Sequence, residues 1–230
     1  AGTEDSRIRK YEKNMMAPKT DIRRKIAEAL DIDMSALNDI DIQTEEDAIR
    51  ILFYLEEKYG FEVIHINTEF DMVEGKLDRS KAYTYAEENV AKILEENPSI
   101  EVVIDLHRDG VPDTTRLVTE EKGVTMSKVM FFNGISYSKA KGDIGYLYNA
   151  NRDDNLAMSL QMYLLGEAYY PGLLRNIYIN AYRYCLHMKG RSMLIEAGAQ
   201  TNTSTEVKNA MIPVADMLDR LLRGEKAYTQ

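Results

Sequence analysis

Two apolar runs, each ending in one ionisable side chain, constrain this chain more than any other feature. In the first, Val102-Val103-Ile104-Asp105-Leu106 leads to His107 and then into Arg108-Asp109-Gly110. β-Formers in succession suit a strand covered on both faces, and a strand tip fixes the backbone while the loop beyond it lines a pocket. A histidine delivered there can be a metal ligand, a general base or a plain pocket wall. Of the chain's three histidines, His65, His107 and His187, only His107 stands at a strand tip before a polar loop. His65 sits in an apolar strand pattern and His187 in a mixed turn that reads as pocket wall.

The second run, Met193-Leu194-Ile195, ends in Glu196 and opens into the small-residue stretch Ala197-Gly198-Ala199-Gln200-Thr201-Asn202. Thr203 and Glu206 then have the spacing of a capping box that starts a last helix. A carboxylate where a sheet ends is costly to desolvate unless it is paired, hydrogen-bonded or used. Glu196 therefore either accepts hydrogen bonds from the loop that follows, or serves as a general base beside a metal. Parallel strands ending at one sheet edge would bring it close to His107.

The surrounding pattern is that of an α/β protein. Thr44 to Asp47 reads as a helix start, Ile51, Leu52 and Leu55 as its buried stripe with Ala48, and Gly60 as its stop. Phe61 to Ile66 is predicted as a strand, Ser80 to Glu96 as a helix, and Val129 to Phe132 as another buried strand. A long loop from Ser136 to Asn151 precedes a helix from Asp153 to Tyr170 with a stripe of Leu156, Leu160, Tyr163 and Leu164. Ile177 to Tyr184 is expected to be a strand, and Ser204 to Leu222 the closing helix. The expected architecture is one α/β domain with a single, mainly parallel sheet, helices on both faces, and the His107 and Glu196 strands near its centre. Residues 1–43 read as an irregular or short-helical lead-in, and 44–230 as the catalytic domain.

A net charge of −9 disfavours nucleic acid and anionic lipid as partners, since both need a basic surface. The single cysteine, Cys185, excludes an intramolecular disulfide and a multi-thiolate zinc site. No apolar run approaches the ~20 residues that span a bilayer. His107-Arg108-Asp109 lacks the downstream asparagine of a kinase catalytic loop, as position 114 is Thr114, and no Gly-x-Ser-x-Gly elbow occurs.

Together, Asp105-Leu106-His107-Arg108-Asp109-Gly110 and Glu196-Ala197-Gly198-Ala199-Gln200-Thr201-Asn202-Thr203 resemble the stage II sporulation protein P family, within the zinc-dependent N-acetylmuramoyl-L-alanine amidases. Weaker matches run in the same order from Thr44 to Leu222, among them Ala82-Tyr83-Thr84-Tyr85 and Tyr169-Tyr170-Pro171-Gly172-Leu173. The resemblance implies a Zn2+ enzyme that cuts the amide joining peptidoglycan glycan to its stem peptide, with endopeptidase-like activity on cross-links. It implies septal wall remodelling alongside other engulfment proteins, and an extracytoplasmic location secured by an N-terminal anchor outside this sequence. His107 falls on a zinc-ligand position and Glu196 on the catalytic glutamate. The family's His-Thr-His-x-x-Glu motif, which supplies further ligands, is expected upstream of Ala1, or else Glu4 stands at its glutamate with Ala1 at a histidine position.

Arg108, Asn155, Gln200 and Asn202 are the candidate substrate-contacting residues. For Arg108 the competing reading is an ion pair with Asp109 that braces the loop. Acidic residues of the first half, such as Glu74 and Glu87, are expected on solvated helix faces. Two functions remain open: a cell-wall amidase, and a truncated or inactive homologue that binds peptidoglycan or a partner without cutting it.

Overall fold

The computed structural model describes residues 51–225 except 67, 69, 71, 74–75 and 78–81. The expectations for 1–50 and for Glu74, including the lead-in, Ala48, Glu4 and Ala1, lie outside the described residues.

In chain order the strands are β1 (Met72–Val73), β2 (Lys76–Leu77), β3 (Val103–Asp109), β4 (Val118–Glu121), β5 (Val124–Ser127), β6 (Val129–Gly134), β7 (Tyr137–Ser138), β8 (Gly142–Asp143), β9 (Tyr178–Asn180) and β10 (Ser192–Ala199). The α-helices are α1 (Ala82–Glu96), α2 (Arg152–Tyr169) and α3 (Ser204–Leu222). Ahead of them, residues 51–53 are helical and continue into a π-helical turn, Tyr54–Lys58, which stops at Gly60 with φ +76°.

The main sheet is ordered β3-β10-β6-β9. Its β3–β10 and β6–β9 pairs are parallel and its β10–β6 pair is antiparallel, so the fold is α/β with a mixed, mostly parallel sheet. β10 is interior and almost wholly buried, as its run of Met193, Leu194 and Ile195 requires. β3 lies at the edge of this sheet rather than near its centre, which fits its partly exposed side chains.

One face of the sheet carries Ile104, Leu106, Val129, Phe131, Met193, Ile195 and Ala197 into the main core. α3 meets it with Val207, Ala210, Met211, Val214, Ala215, Met217 and Leu218, the spacing of an apolar helix stripe. Its N-terminus is the expected capping box: Thr203 Oγ1 accepts from the Glu206 amide, and Glu206 accepts from the Thr203 amide at 3.1 Å. The opposite face carries Met130, Phe132 and Leu194 against Leu186 and Tyr184, and holds the ionisable side chains described below.

Four further expectations need correction. Phe61–Ile66 forms no strand: Phe61 and Val63 reach the core from extended chain without a ladder partner. α2 turns a different face inward, burying Asn155, Met158, Ser159, Met162, Leu165 and Gly166 while Leu160 is 50% exposed. Met158, Met162 and Leu165 supply its buried apolar contacts, with Asn155, Ser159 and Gly166 on the same face. A Cβ at Gly166 would lie 2.2 Å from a Leu174 methyl, so at this position the helix packs against Leu174 because it has no side chain.

β9 ends at Asn180, well before Tyr184. Asn180 Oδ1 accepts from the Ala181 amide, and Tyr184 takes a left-handed φ of +52°, so the chain turns back across the sheet. The stretch after Ser136 is not all loop either, since β7 and β8 form a short hairpin in it. A further hairpin, β4–β5, was not foreseen. Its turn, Lys122-Gly123, has both φ values positive, as a two-residue hairpin turn requires.

Candidate active site

Glu196 and His107 are register partners across the parallel β3–β10 pair. Directly opposed residues of neighbouring strands share a face of the sheet about 4.8 Å apart, so both side chains rise from the same surface. Alternation along β3 puts Asp105 and Asp109 on that surface with His107. His107 is 44% exposed, enough for a ligand or substrate to reach its ring.

Its Nε2 lies 2.7 Å from Asp105 Oδ1. The other oxygen of Asp105 accepts a hydrogen bond from the Tyr83 hydroxyl at 3.3 Å, which ties the start of α1 to the sheet. Tyr83 in turn stacks edge-on to Tyr184 at 5.1 Å, and Tyr184 edge-on to Phe132 at 4.9 Å. Asp109 is held by Arg175, with 2.7 Å between Nη1 and Oδ2. Arg175 is itself anchored through its amide to the Val129 carbonyl at 2.7 Å.

Electrostatics set the two central groups apart. The hydrogen bond to Asp105 raises the His107 imidazole above its ordinary pKa, against the effect of burial, with the charges of Asp105 and Glu196 adding to the rise. Burial pushes the Glu196 carboxyl up to about 6, with His107 opposing and Asp109 and Asp105 reinforcing. Glu196 Oε2 is buried without a hydrogen-bond partner. The loop therefore does not consume this carboxylate. A carboxyl with a raised pKa and a spare oxygen beside an imidazole has the disposition of a general base.

The strand is bent just beyond this point, where the β3–β10 register shifts between Glu196 and Ala199. Gly198 makes the bend with φ +77°, and a Cβ there would lie 2.7 Å from Ser127 Cβ and 2.8 Å from Asn202 Oδ1. Gly198→Ala is expected to lower stability by about 1–3 kcal/mol through this overpacking. A chemical-denaturation midpoint unchanged from wild type would show that the tip tolerates a side chain.

The four other candidates are placed differently. Arg108 and Asp109, as successive strand residues, point to opposite faces and form no fork with each other. Arg108 Nη1 donates to the Asn202 carbonyl at 3.1 Å and Asp109 pairs with Arg175, which corrects the expected pairing. Gln200 is exposed and clasps the backbone of Val111, accepting from its amide at 3.0 Å and donating to its carbonyl. Asn155 is buried, with Nδ2 on the Leu186 carbonyl and Oδ1 on the Ser192 amide at 2.8 Å. Asn202 is likewise buried among the Ala199 amide, the Leu117 carbonyl and Glu206.

Glu87, expected on a solvated face, instead bridges Arg183 at 2.9 Å and His187 at 3.1 Å, and so fastens α1 to the segment after β9. Asp105, Tyr83 and Arg175 are the site residues that sequence reasoning left without a role. Asp105 carried a legible signal, being two residues before His107 in a strand and so on its face. Arg175 carried none, because it arrives from a loop by tertiary folding.

The family model described as Stage II sporulation protein P (SpoIIP) matches residues 49–219. The chain belongs to this family. Among curated proteins, the stage II sporulation protein P of Bacillus subtilis (strain 168) is 25% identical over 152 residues, 63% of this chain. That alignment spans 34% of the Bacillus protein, so the chain covers about a third of its relative's length. No solved structure matches the chain. The family match takes in both strand tips, β3 and β10, together with Tyr83 and Arg175. Among the described residues no helix is long and apolar enough to cross a membrane.

Proposed function

We propose that this chain is the catalytic part of a peptidoglycan hydrolase that cleaves the amide between N-acetylmuramic acid and the L-alanine of the stem peptide. Its setting would be septal wall remodelling in sporulation, with cleavage of peptide cross-links as a secondary activity. The observation that carries this reading is the in-register pairing of His107 with a Glu196 whose buried Oε2 has no partner. Membership of a family named for sporulation supports the biological setting.

Zinc is the cofactor this reading calls for. Among the described residues no group of three or more His, Cys, Asp and Glu side chains is disposed to hold a metal ion. A catalytic zinc takes three protein ligands, so His107 would supply one and the others would come from outside the described residues. An exposed imidazole held by a carboxylate fits that single position. Bound there, the ion would supply water activation and polarisation of the scissile carbonyl.

The chain's own side chains account for the proton traffic. Glu196 takes a proton from the attacking water as its oxygen adds to the amide carbon. The same carboxyl returns that proton to the departing nitrogen of L-alanine as the carbon–nitrogen bond breaks. Asp105 holds the His107 ring, and Arg175 offsets part of the negative charge gathered by Asp105, Asp109 and Glu196.

Digestion of purified peptidoglycan by the natural full-length protein is expected to yield glycan strands freed of peptide, and stem peptides with a new L-alanine amino terminus. His107→Ala in the same protein should lower its zinc content per mole. Recovery of intact muropeptides from a protein that still pellets with the wall would support the alternative, a homologue that binds without cutting.

A further inference from the structure

The face of the sheet that holds Glu196 is uneven in its chemistry. Its β3 side carries Asp105, His107 and Asp109, the last paired with Arg175. Its other side is built by β6 and β9, which contain no charged residue. There Phe132 and Tyr178 are register partners, with ring centroids 5.1 Å apart and planes tilted by 31°. A further segment lies over them. A Cβ at Gly134 would clash with the Tyr182 carbonyl and lie 2.7 Å from a Tyr184 ring carbon. Alternation puts that Cβ position on the face of Phe132, so residues 182–184 cross the sheet there. Arg183, the one charge in the crossing, is bound to Glu87 at 2.9 Å.

Tyr184 is half-buried against Phe132, whereas Tyr178 is 49% and Tyr182 60% exposed. Burial raises the Tyr184 hydroxyl above its ordinary pKa, and the charged forms of Tyr178, Tyr182 and Glu196 add to the rise, so all three lie around that ring. Single exposed rings are ordinary, but adjoining ones beside a reaction centre form a surface suited to a ligand. Glu196 faces Met130 on β6, so Tyr178 stands two strands and two residues away, roughly 12 Å.

The bond to be cut joins an uncharged arm to a charged one. The glycan is neutral once its lactyl carboxyl is in the amide, and each sugar ring offers a face of C–H groups rimmed by hydroxyls. The stem peptide carries carboxylates and amines. Tyrosine suits the first arm, since its ring receives the C–H face while its hydroxyl bonds the rim. The charged β3 side with Arg175 suits the second. We propose, resting on the reading of the chain as a peptidoglycan hydrolase, that Tyr178 and Tyr182 are its sugar-binding residues. The glycan lies across β6 and β9, and the stem peptide leaves over β3. The span from Glu196 to Tyr178 is within reach of a disaccharide, so the muramic acid at the amide and its neighbouring sugar cover it.

The test is calorimetric titration of the 230-residue chain with soluble glycan stripped of its peptides, in which no bond is cut and no metal is needed. Tyr178→Ala and Tyr182→Ala are each expected to weaken binding about 2–10-fold, the usual contribution of one ring contact, and the double variant by more. Tyr178→Phe keeps the ring and should keep most of the affinity. Binding of free stem peptide should be the same in every variant. Tyr178 packs on Phe132, so if its alanine variant fails to fold, Tyr182→Ala, at the more exposed position, decides the result alone. Glycan binding that survives loss of both rings overturns the sugar-binding role and leaves the hydrolase reading in place. Variants that weaken the peptide and not the glycan overturn it too, because the substrate then lies the other way round. If glycan does not bind the chain at all, the role fails, and the digestion of peptidoglycan described above decides the hydrolase reading separately.

Discussion

Glu196→Gln is expected to reduce release of stem peptide from peptidoglycan by about 10²–10⁴-fold, the usual contribution of a positioned proton-transfer group. Glutamine keeps the size of the side chain and one acceptor oxygen, but it cannot take a proton from water. Wall binding and zinc content should remain near wild type, because the carboxyl has no hydrogen bond at Oε2 to lose and the imidazole is held by Asp105. The loss belongs in turnover rather than in KM, since the missing step occurs after substrate is bound. Full activity with zinc in place would mean that the base lies elsewhere.

The same variant carries a second signature, readable on metal-free protein. The Glu196 carboxyl is pushed up to about 6 in the folded chain against an ordinary 4.5. A raised folded-state value means that the protonated form is the stable one. Stability from this group is therefore full below about 4.5 and is lost as pH rises through about 6. Glutamine has no such titration. The wild type should thus lose stability relative to Glu196→Gln between these two values, by less than about 2 kcal/mol because the group is only half buried and solvent screens it. Parallel stability–pH curves for the two proteins would contradict the burial that gives Glu196 its raised pKa.

The site was legible as far as it depends on strand geometry. Two apolar runs that end in His107 and Glu196 announce the two strands that carry these side chains, but neither residue is a tip: β3 continues to Asp109 and β10 to Ala199, because the polar and small residues beyond keep their ladder partners. The structure makes them neighbours because β3 and β10 pair in parallel without an intervening strand. α3 was equally readable, since its capping box and its stripe are both encoded within one helix.

What escaped was whatever depends on a partner distant in sequence. Arg175 finds Asp109 across 66 residues, and Glu87 finds Arg183 across 96, with no local pattern to mark either. The inward face of α2 was misread for a related reason. Its fit is decided by tertiary neighbours, such as Leu174 and Met217 against Gly166, not by where leucines recur along the helix. Phe61–Ile66 has a strand's composition, but a strand exists only where a neighbour completes its ladder.

Asn202 separates a substrate contact from a structural one, and it carries the largest expected effect on stability. Its side chain accepts from the Ala199 amide at 2.9 Å and donates to the Leu117 carbonyl at 2.9 Å and to Glu206 at 3.1 Å. These bonds tie the bend after Glu196 to the chain just before β4 and to the first turn of α3. Asn202→Ala leaves a buried amide, a buried carbonyl and part of a carboxylate without their partner, each at a cost of about 1–3 kcal/mol. A total loss of about 3–6 kcal/mol, the lower part of that sum because Glu206 keeps its bonds to the Thr203 amide and Arg116, corresponds to a fall in Tm of roughly 6–24 °C for a domain of this size. Activity measured well below that transition should fall through kcat, as the strand tip that aims Glu196 loosens, with KM for peptidoglycan fragments little changed. The opposite result, an unchanged Tm with a raised KM, would make Asn202 a substrate contact and would place the peptide over the loop rather than over β3 and β10.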